Sequence, residues 1–243
     1  MKNKIIVITG GATGIGFAIA NELTADNTVI SLDRTPHKIS ALKEALPKVE
    51  SIQADVSSTA DLTNAIDRIE SKYGKIDLLI NNAGLGRSFD FVNSSEQELE
   101  GNIKTEMEVN YYAPILLTKK ALPLLKKSAQ PIVAIVSSGL AYMPMSSLGT
   151  YCASKVAVHF AAMTLRHQLA ALKIRIVEVL PPVVDTNLSK SVTMPKMPAN
   201  KFAQEFIRRL ERGQNVMNVG QSAFLEKLSR FSPSIAFKML NRR

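Results

Sequence analysis

The sequence predicts an α/β protein: one domain in which a doubly wound parallel sheet carries helices on both faces. Two observations support this fold class. Apolar runs of strand length alternate with amphipathic segments of helical length through the first three-quarters of the 243 residues. Most of the runs are nearly continuous in apolar residues and do not alternate in polarity, which is typical of parallel strands that are buried on both faces. Helices are therefore expected above and below the sheet.

Six apolar runs are predicted as strands, and a glycine, a proline or a polar residue lies at the end of each. In chain order they are Ile5–Thr9, Thr28–Leu32, Ser51–Ala54, Ile76–Ile80, Pro131–Ser137 and Arg175–Leu180. Helical patterns lie between them, and the clearest are Phe17–Leu23, Ser58–Tyr73, Glu96–Lys127 and Tyr151–Lys173. Right-handed crossovers through such helices wind parallel strands into one layer.

The chain shows no linker, low-complexity segment or repeat of fixed period, so residues 1–243 are predicted to form a single domain. The pattern changes after Pro181-Pro182. The segment Val183–Asn200 has no strong periodicity and is predicted as a loop or short-helix excursion. It leaves the carboxyl end of a strand, where ligands bind in this architecture, so residues 187–200 are predicted to contact the substrate.

The basic charge of the chain is concentrated in its C-terminal part. The whole chain carries a net charge of +9, and residues 187–243 hold 11 Lys and Arg against 3 Asp and Glu. Three apolar helical faces accompany these charges in the segment 201–243, at Lys201–Arg212, Ala223–Phe231 and Ile235–Leu240. We expect these faces to pack on the domain or to cover the active site. An amphipathic contact with a membrane surface is the alternative.

Several classes of function are not indicated. The single cysteine, Cys152, excludes an intrachain disulfide and a Cys-based metal site, and the three histidines are scattered, so no metal is predicted. No helix-turn-helix or aromatic-basic interleaving supports nucleic-acid binding. We find neither a signal-peptide core nor a stretch of about 18 apolar residues. A cytoplasmic location is therefore expected.

The turn after the first strand indicates a Rossmann-like dinucleotide site. Gly10, Gly14 and Gly16 lie in the segment Thr9–Gly16, where they allow a tight turn and close approach of the backbone to a pyrophosphate. The N–H groups at the start of the next helix then face the phosphates.

The residue at the end of the second strand bears on the choice of dinucleotide. The carboxylate of Asp33 can accept both ribose hydroxyls of NAD, and it repels the 2′-phosphate of NADP. Arg34 follows it and could instead bind that phosphate. NAD is therefore the predicted cofactor, with NADP as the alternative.

Further motifs follow the glycine turn in a fixed order. On the basis of these motifs, the chain resembles the short-chain dehydrogenase/reductase family from about residue 3 to residue 188. The motifs are the glycine turn, Asp55-Val56, Asn81-Asn82-Ala83-Gly84, Asn110, Ser138 and the Y-x-x-x-K pair Tyr151 and Lys155. A lone Y-x-x-x-K motif is common, whereas the ordered set is specific. The ending Ser229–Arg242 is similar to that of uncharacterised members linked to D-alanylation of lipoteichoic acid in Gram-positive bacteria.

The resemblance implies an oxidoreductase that moves a hydride between a nicotinamide dinucleotide and a carbonyl or secondary alcohol. It implies four catalytic residues: Tyr151 as general acid and base, Ser138 as hydrogen-bond donor to the substrate oxygen, Lys155 on the nicotinamide ribose, and Asn110 holding a water. The implied cofactor-binding residues are Gly10, Thr13, Gly14, Ile15, Gly16, Asp33, Arg34, Asp55, Val56, Asn81, Asn82, Ala83, Gly84, Tyr151, Lys155, Val184 and Thr186.

The spacing of Tyr151 and Lys155 suits this chemistry, because residues four apart share one face of a helix. A free phenol has a pKa of about 10 and is a poor base near neutrality. A nearby ammonium group and the positive charge of the oxidised nicotinamide favour the phenolate. We therefore expect the pKa of Tyr151 to be lowered towards the working pH.

One position departs from the family. Pro182 stands where relatives usually have glycine, so a backbone N–H that could reach the nicotinamide is lost. The pocket walls are expected in the loop Leu140–Thr150 and in residues 187–200, where Met143, Met145 and Met194 suggest an apolar lining.

Two further expectations follow from the resemblance. Relatives pair through the helices that correspond to Glu96–Lys127 and Tyr151–Lys173, so a homodimer or homotetramer is expected. The competing interpretation of the whole chain is a non-catalytic regulatory or membrane-surface module that binds a dinucleotide on the same fold.

Overall fold

The computed structural model describes residues 1–190 and 192–241; Ser191 of the predicted substrate loop and the closing Arg242-Arg243 lie outside them. In this part of the chain seven strands are found: β1 (Ile5–Thr9), β2 (Thr28–Asp33), β3 (Glu50–Gln53), β4 (Leu78–Asn81), β5 (Ile132–Val136), β6 (Arg175–Leu180) and β7 (Val216–Asn218). They form one sheet in the order β3-β2-β1-β4-β5-β6-β7, and every pairing is parallel. The predicted doubly wound parallel sheet is confirmed.

Helices cover both faces of this sheet. They are α1 (Gly14–Leu23), α2 (Pro36–Ala45), α3 (Thr59–Tyr73), α4 (Glu96–Met107), α5 (Ala113–Leu125), α6 (Gly149–Gln168), α7 (Ala199–Glu211), α8 (Gln221–Phe231) and α9 (Pro233–Leu240). One core lies under α1 and α7, with Ile19 and Phe206 fully buried. The other lies under α3, α5 and α6, with Leu62, Leu117 and Val158 in it.

The strand β7 is absent from the sequence prediction. It has three residues, Val216–Asn218, of which only Met217 is fully buried. A three-residue segment is too short to show a strand pattern, and only its pairing with β6, where Glu178 faces Val216, defines it.

The predicted helix Glu96–Lys127 is not continuous. A π-helical turn at Glu108–Tyr112 separates α4 from α5. Pro114 lies at the start of α5 and has no N–H to donate to the carbonyl of Asn110, so the regular α-helical ladder cannot run through this point. Single π-helical turns are often found at functional sites, and this one holds Asn110.

The C-terminal part is more ordered than the sequence predicts. Within Val183–Asn200, Val184 pairs with Met197 and a short 3-10 helix forms at Asn187–Ser189. The apolar face of α7 packs on the sheet, as expected, whereas α8 and α9 enclose a small separate core of Met143, Leu225 and Ala236. Within the described residues, no helix is both long and apolar enough to cross a bilayer.

Candidate active site

A cavity of about 790 Å³ lies at the carboxyl ends of the central strands. Ligands bind at this edge of a doubly wound sheet, because the connection after β1 leads towards β2 on one side and the connection after β4 leads towards β5 on the other, which leaves a crevice between them. Sixteen of the predicted site residues line the cavity: Gly10, Thr13, Gly14, Ile15, Asp33, Arg34, Asp55, Val56, Asn82, Ala83, Gly84, Ser138, Tyr151, Lys155, Val184 and Thr186. Three do not line it: Gly16, Asn81 and Asn110.

The glycine turn needs its glycines for two different reasons. Gly14 has a φ of +58°, which a residue with a side chain adopts at a cost. A Cβ on Gly16 would lie 2.2 Å from the carbonyl oxygen of Gly10, so here the backbones approach too closely for any side chain. Thr186 packs against Gly14 from the loop after β6, which brings it to the start of α1.

The motif after β4 holds the glycine turn in place. The Asn82 side-chain amide donates to the carbonyl oxygens of Thr9 at 2.9 Å and Gly10 at 3.2 Å. The Thr9 hydroxyl accepts from the backbone N–H groups of Asn82 and Ala83. Asn81 is buried and donates to the Thr118 hydroxyl at 3.2 Å, away from the cavity. The first asparagine of the motif thus supports the sheet, and the second ties two loops together.

The adenosine end of the predicted site carries two carboxylates. The Asp33 carboxylate accepts hydrogen bonds from the Ala12 N–H at 3.1 Å and from the Ser31 hydroxyl. Burial raises the pKa of Asp33 by more than these two hydrogen bonds lower it. Burial also acts on Asp55, but hydrogen bonds from Ser57 and the charge of Arg34 outweigh it and lower the pKa of Asp55. The Arg34 guanidinium lies 3.6 Å from the Asp55 carboxylate, so this cation is already partly neutralised.

Three of the four predicted catalytic residues lie together beside this turn. Tyr151 and Lys155 are buried on α6, and the Lys155 Nζ lies 5.7 Å from the centre of the Tyr151 ring. The same Nζ donates to the carbonyl oxygen of Val136 at 2.9 Å, at the end of β5. The side chain of Ser138, two residues further along, interacts with the Tyr151 hydroxyl and lowers its pKa. The strand β5 and the helix α6 therefore converge on one phenol.

The electrostatics of this group differ from the expectation. Burial raises the pKa of Tyr151 to about 12, although the hydrogen bond with Ser138 lowers it. Burial likewise lowers the pKa of Lys155 to about 8. In the protein alone, desolvation of the phenolate therefore dominates, whereas the prediction combined the lysine with the positive charge of the oxidised nicotinamide. The phenol is protonated at neutral pH, as a proton donor requires.

Asn110 is bound to the backbone beside the cavity. Its side-chain amide donates to the Leu85 carbonyl oxygen at 2.7 Å and to the Ser154 hydroxyl at 2.9 Å, and its Oδ1 accepts the Leu85 N–H at 3.0 Å. Both amide hydrogens are used, so only the second lone pair of Oδ1 is left for a water. One turn earlier, the buried Glu106 accepts the N–H of Arg87 at 2.7 Å. One helix face thus holds the segment from residue 84 to residue 87.

That segment contacts Tyr151, the predicted proton donor, at a residue that the sequence analysis missed. A Cβ on Gly86 would lie 2.8 Å from the Tyr151 ring. No motif marks this glycine, because its requirement arises from a contact across the cavity.

We expect Gly86→Ala to lower kcat by about 10²-fold, because a displacement of about 1 Å in a catalytic group has this effect. The KM for the dinucleotide should hardly change, since the glycine turn is untouched. Gly101→Ala, which has nothing within 4 Å of the added carbon, is the matched control and should keep full activity. Steady-state kinetics of the two variants checks this. Equal rates for both would show that Gly86 does not position Tyr151.

The C-terminal helices supply a wall of the cavity. Phe224, Leu225, Met239 and Leu240 line it together with the expected Met145 and Met194. The expected wall residue Met143 instead packs under α8 and α9, because it belongs to their small core. The basic tail thus covers the active site in part, as expected.

The start of α8 also contacts the loops that follow β5 and β6. The Ser222 hydroxyl donates to the Pro181 carbonyl oxygen at 2.7 Å, and a Cβ on Gly139 would lie 2.5 Å from that hydroxyl. The unusual Pro182 lies against Gly220, which has a φ of +56°. The proline therefore supports the turn that leads into α8, in addition to removing an N–H.

Comparison with known proteins agrees with this architecture. A family model described as short chain dehydrogenase matches residues 4–196. The uncharacterized oxidoreductase DltE of Bacillus subtilis is 30% identical across 99% of this chain and 98% of its own length. Both resemblances that the sequence suggested are thereby confirmed. A farnesol dehydrogenase of Aedes aegypti is 30% identical over 76% of this chain and 79% of its own.

A solved structure shows the same fold over nearly the whole chain. A short chain dehydrogenase from Burkholderia cenocepacia J2315, in complex with NADP, superposes with a TM-score of 0.86 at 25% identity. The match covers 98% of each chain. A relative with this fold therefore holds a nicotinamide dinucleotide.

Proposed function

This chain belongs to the short-chain dehydrogenase family, and from that premise we propose that it transfers a hydride between a nicotinamide dinucleotide and a bulky, uncharged carbonyl or secondary alcohol. The observation that carries the proposal is the convergence of Tyr151, Lys155 and Ser138 on the cavity that the glycine turn also lines.

The residues present fit a dinucleotide. The start of α1 offers backbone N–H groups to phosphates, and Asp33 offers carboxylate oxygens to ribose hydroxyls. The Lys155 Nζ borders the cavity beside Gly84, where an added Cβ would lie 3.5 Å from this nitrogen. We assign Lys155 to the nicotinamide ribose on this ground. The dinucleotide supplies the hydride, and the protein supplies orientation and charge.

In the direction of reduction, Tyr151 donates its phenolic proton to the carbonyl oxygen as that oxygen gains negative charge. The Ser138 hydroxyl donates a hydrogen bond to the same oxygen, a preorganised contribution of the kind that often dominates catalysis. The ammonium of Lys155, on the adjacent turn of α6, then stabilises the phenolate that remains. In oxidation the phenolate takes the proton back. A water that donates a hydrogen bond to the remaining lone pair of Asn110 Oδ1 would relay protons between the site and solvent.

The lining of the cavity supports the substrate class. The charged residues among its described lining are Asp33, Arg34, Lys38, Asp55 and Lys155, which belong to the dinucleotide half or to the catalytic group. The other half is lined largely by apolar side chains, at Leu85, Leu140, Met145, Leu148, Val183, Leu188, Val192, Met194, Phe224, Leu225, Met239 and Leu240. A charged substrate would lose its hydration there without gaining a partner.

The experiment that tests the proposal is a screen of ketones and alcohols with NADH or NAD and, in parallel, with NADPH or NADP. We expect turnover of large apolar ketones and little turnover of sugars or keto acids. A protein that binds neither dinucleotide would contradict the proposal.

We propose NAD as the preferred dinucleotide, because the Asp33 carboxylate lines the cavity, where it would repel a 2′-phosphate, while Arg34 is paired with Asp55. Asp33→Ser is expected to raise kcat/KM with NADPH relative to NADH by about 10- to 100-fold, since like charges brought together cost several kcal/mol. Asp26→Ser, at the opposite end of β2, should leave the ratio unchanged. Parallel kinetics with both dinucleotides measures this ratio. An unchanged ratio in Asp33→Ser would refute the assignment.

A further inference from the structure

The last two helices present apolar side chains to the outside. Phe224, Phe231, Ile235, Phe237 and Met239 are exposed by between 36% and 86%. We call the exposed side chains of residues 221–240 the α8–α9 face. Single exposed apolar residues are ordinary on protein surfaces, but five of them concentrated on two consecutive short helices indicate an interaction site.

This face is continuous with the mouth of the cavity. Phe224 and Met239 are exposed, and both also line the cavity. On the loop after β6, Leu188 is 49% exposed and lines the cavity as well. An apolar surface therefore leads from the outside of the protein to the side chains that surround the catalytic tyrosine.

The same region is basic. Lys190 and Lys196 lie on the loop, and Lys227, Arg230 and Lys238 lie on the helices. The one acidic residue in the described parts of 187–198 and 221–240 is Glu226, which pairs with Arg230 at 3.0 Å. Four cations thus remain beyond this pair, on the same loop and helices that carry the exposed apolar residues.

We propose that the α8–α9 face docks on an anionic lipid surface. Aromatic and aliphatic side chains enter the boundary between headgroups and acyl chains, while lysines lie among anionic headgroups. The mouth of the cavity then faces the lipid, and an apolar substrate enters from it without crossing water. Docking itself does not depend on the proposed catalysis, so it can fail or succeed independently.

The charges favour lipid over a second copy of this chain. A two-fold contact of the α8–α9 face with itself would bring the same lysines of both copies together, which is unfavourable. The end of α9 is also hydrogen-bonded to the loop that follows β5. The side-chain amide of Asn241 donates to the Pro144 carbonyl oxygen at 3.1 Å, and its oxygen accepts the Ser146 N–H at 2.6 Å. The docked segment is thus connected to the residues that follow Ser138.

Co-sedimentation with vesicles tests this proposal on the full chain. The wild type is mixed with vesicles of phosphatidylcholine alone and of phosphatidylcholine with phosphatidylglycerol, at low and high salt. The test variant carries Ile235→Ser and Lys238→Glu. The matched control carries Leu172→Ser and Lys126→Glu, which change an exposed aliphatic residue and an exposed lysine that precede β6 and β5, at the amino ends of the strands.

We expect the wild type and the control to bind anionic vesicles, and the test variant to bind at least about tenfold more weakly, since one surface cation alone contributes about fivefold. High salt should weaken the wild type. Circular dichroism and dinucleotide binding of each variant check that the fold is intact. The proposal is overturned if the wild type does not bind anionic vesicles or if it binds neutral vesicles equally well. It is also overturned if the test variant and the control variant bind anionic vesicles with equal affinity. It is also overturned if the substitutions of the test variant disrupt only self-association of the protein and leave its vesicle binding unchanged.

Discussion

Tyr151→Phe is expected to lower kcat by about 10²- to 10⁴-fold, the usual contribution of a general acid or base. The substitution removes the only proton that the buried side chain can give, and it keeps the ring that packs against Gly86. Dinucleotide affinity should stay within about twofold, because the glycine turn and Asp33 are unchanged. Steady-state kinetics with a fluorescence titration of NADH measures both quantities.

A second tyrosine provides the control for this variant. Tyr142 is also partly buried, burial also raises its pKa to about 12, and its hydroxyl donates to Asn218 at 3.0 Å. Tyr142→Phe should therefore lose a structural hydrogen bond, worth about 1 kcal/mol of stability, and keep most of the activity. If Tyr151→Phe turned over substrate at the rate of Tyr142→Phe, the assignment of the proton donor would be wrong.

Lys155→Met is expected to abolish turnover and yet to raise the free energy of unfolding at pH 7 by about 2 kcal/mol. Burial lowers the pKa of Lys155 from 10.5 to about 8, so below pH 8 the folded chain holds a poorly solvated ammonium group. Methionine removes this penalty, and the unpaired carbonyl of Val136 offsets part of the gain.

The sign of the effect gives it a distinct pH dependence. Between about pH 8 and 10.5 the folded wild type releases the Lys155 proton before the unfolded chain does, so the wild type recovers stability as the pH rises. The advantage of Lys155→Met should therefore shrink through this window and vanish above it. Urea unfolding at several pH values measures this, with the exposed Lys126→Met as the control. A difference independent of pH would show that Lys155 is not buried as a charged group.

The parts of the fold that local patterns encode were predictable. A short apolar run followed by glycines predicted β1 and its turn, and the polar residue at the end of β2 predicted the position of Asp33 in the cavity. Tyr151 and Lys155 are four residues apart on a helix, so their shared face also followed from the sequence.

Features that arise from contacts between distant segments were not predictable. The need for glycine at position 86 comes from a ring on α6, and β7 exists only through its pairing with β6. The cavity wall at Phe224 depends on how α8 docks. The effect of desolvation on the pKa of Tyr151 was also not predictable, because spacing shows a neighbouring charge but not how deeply the phenol is buried.

The most direct test of the central claim is transfer of deuterium to a large apolar ketone from NADH that carries deuterium at both C4 positions of the nicotinamide, followed by mass spectrometry of the alcohol. We predict that the label appears on the carbinol carbon with the wild type and falls to a trace with Tyr151→Phe. An alcohol that carries no label from the wild type, or equal labelling by both proteins, would contradict the account.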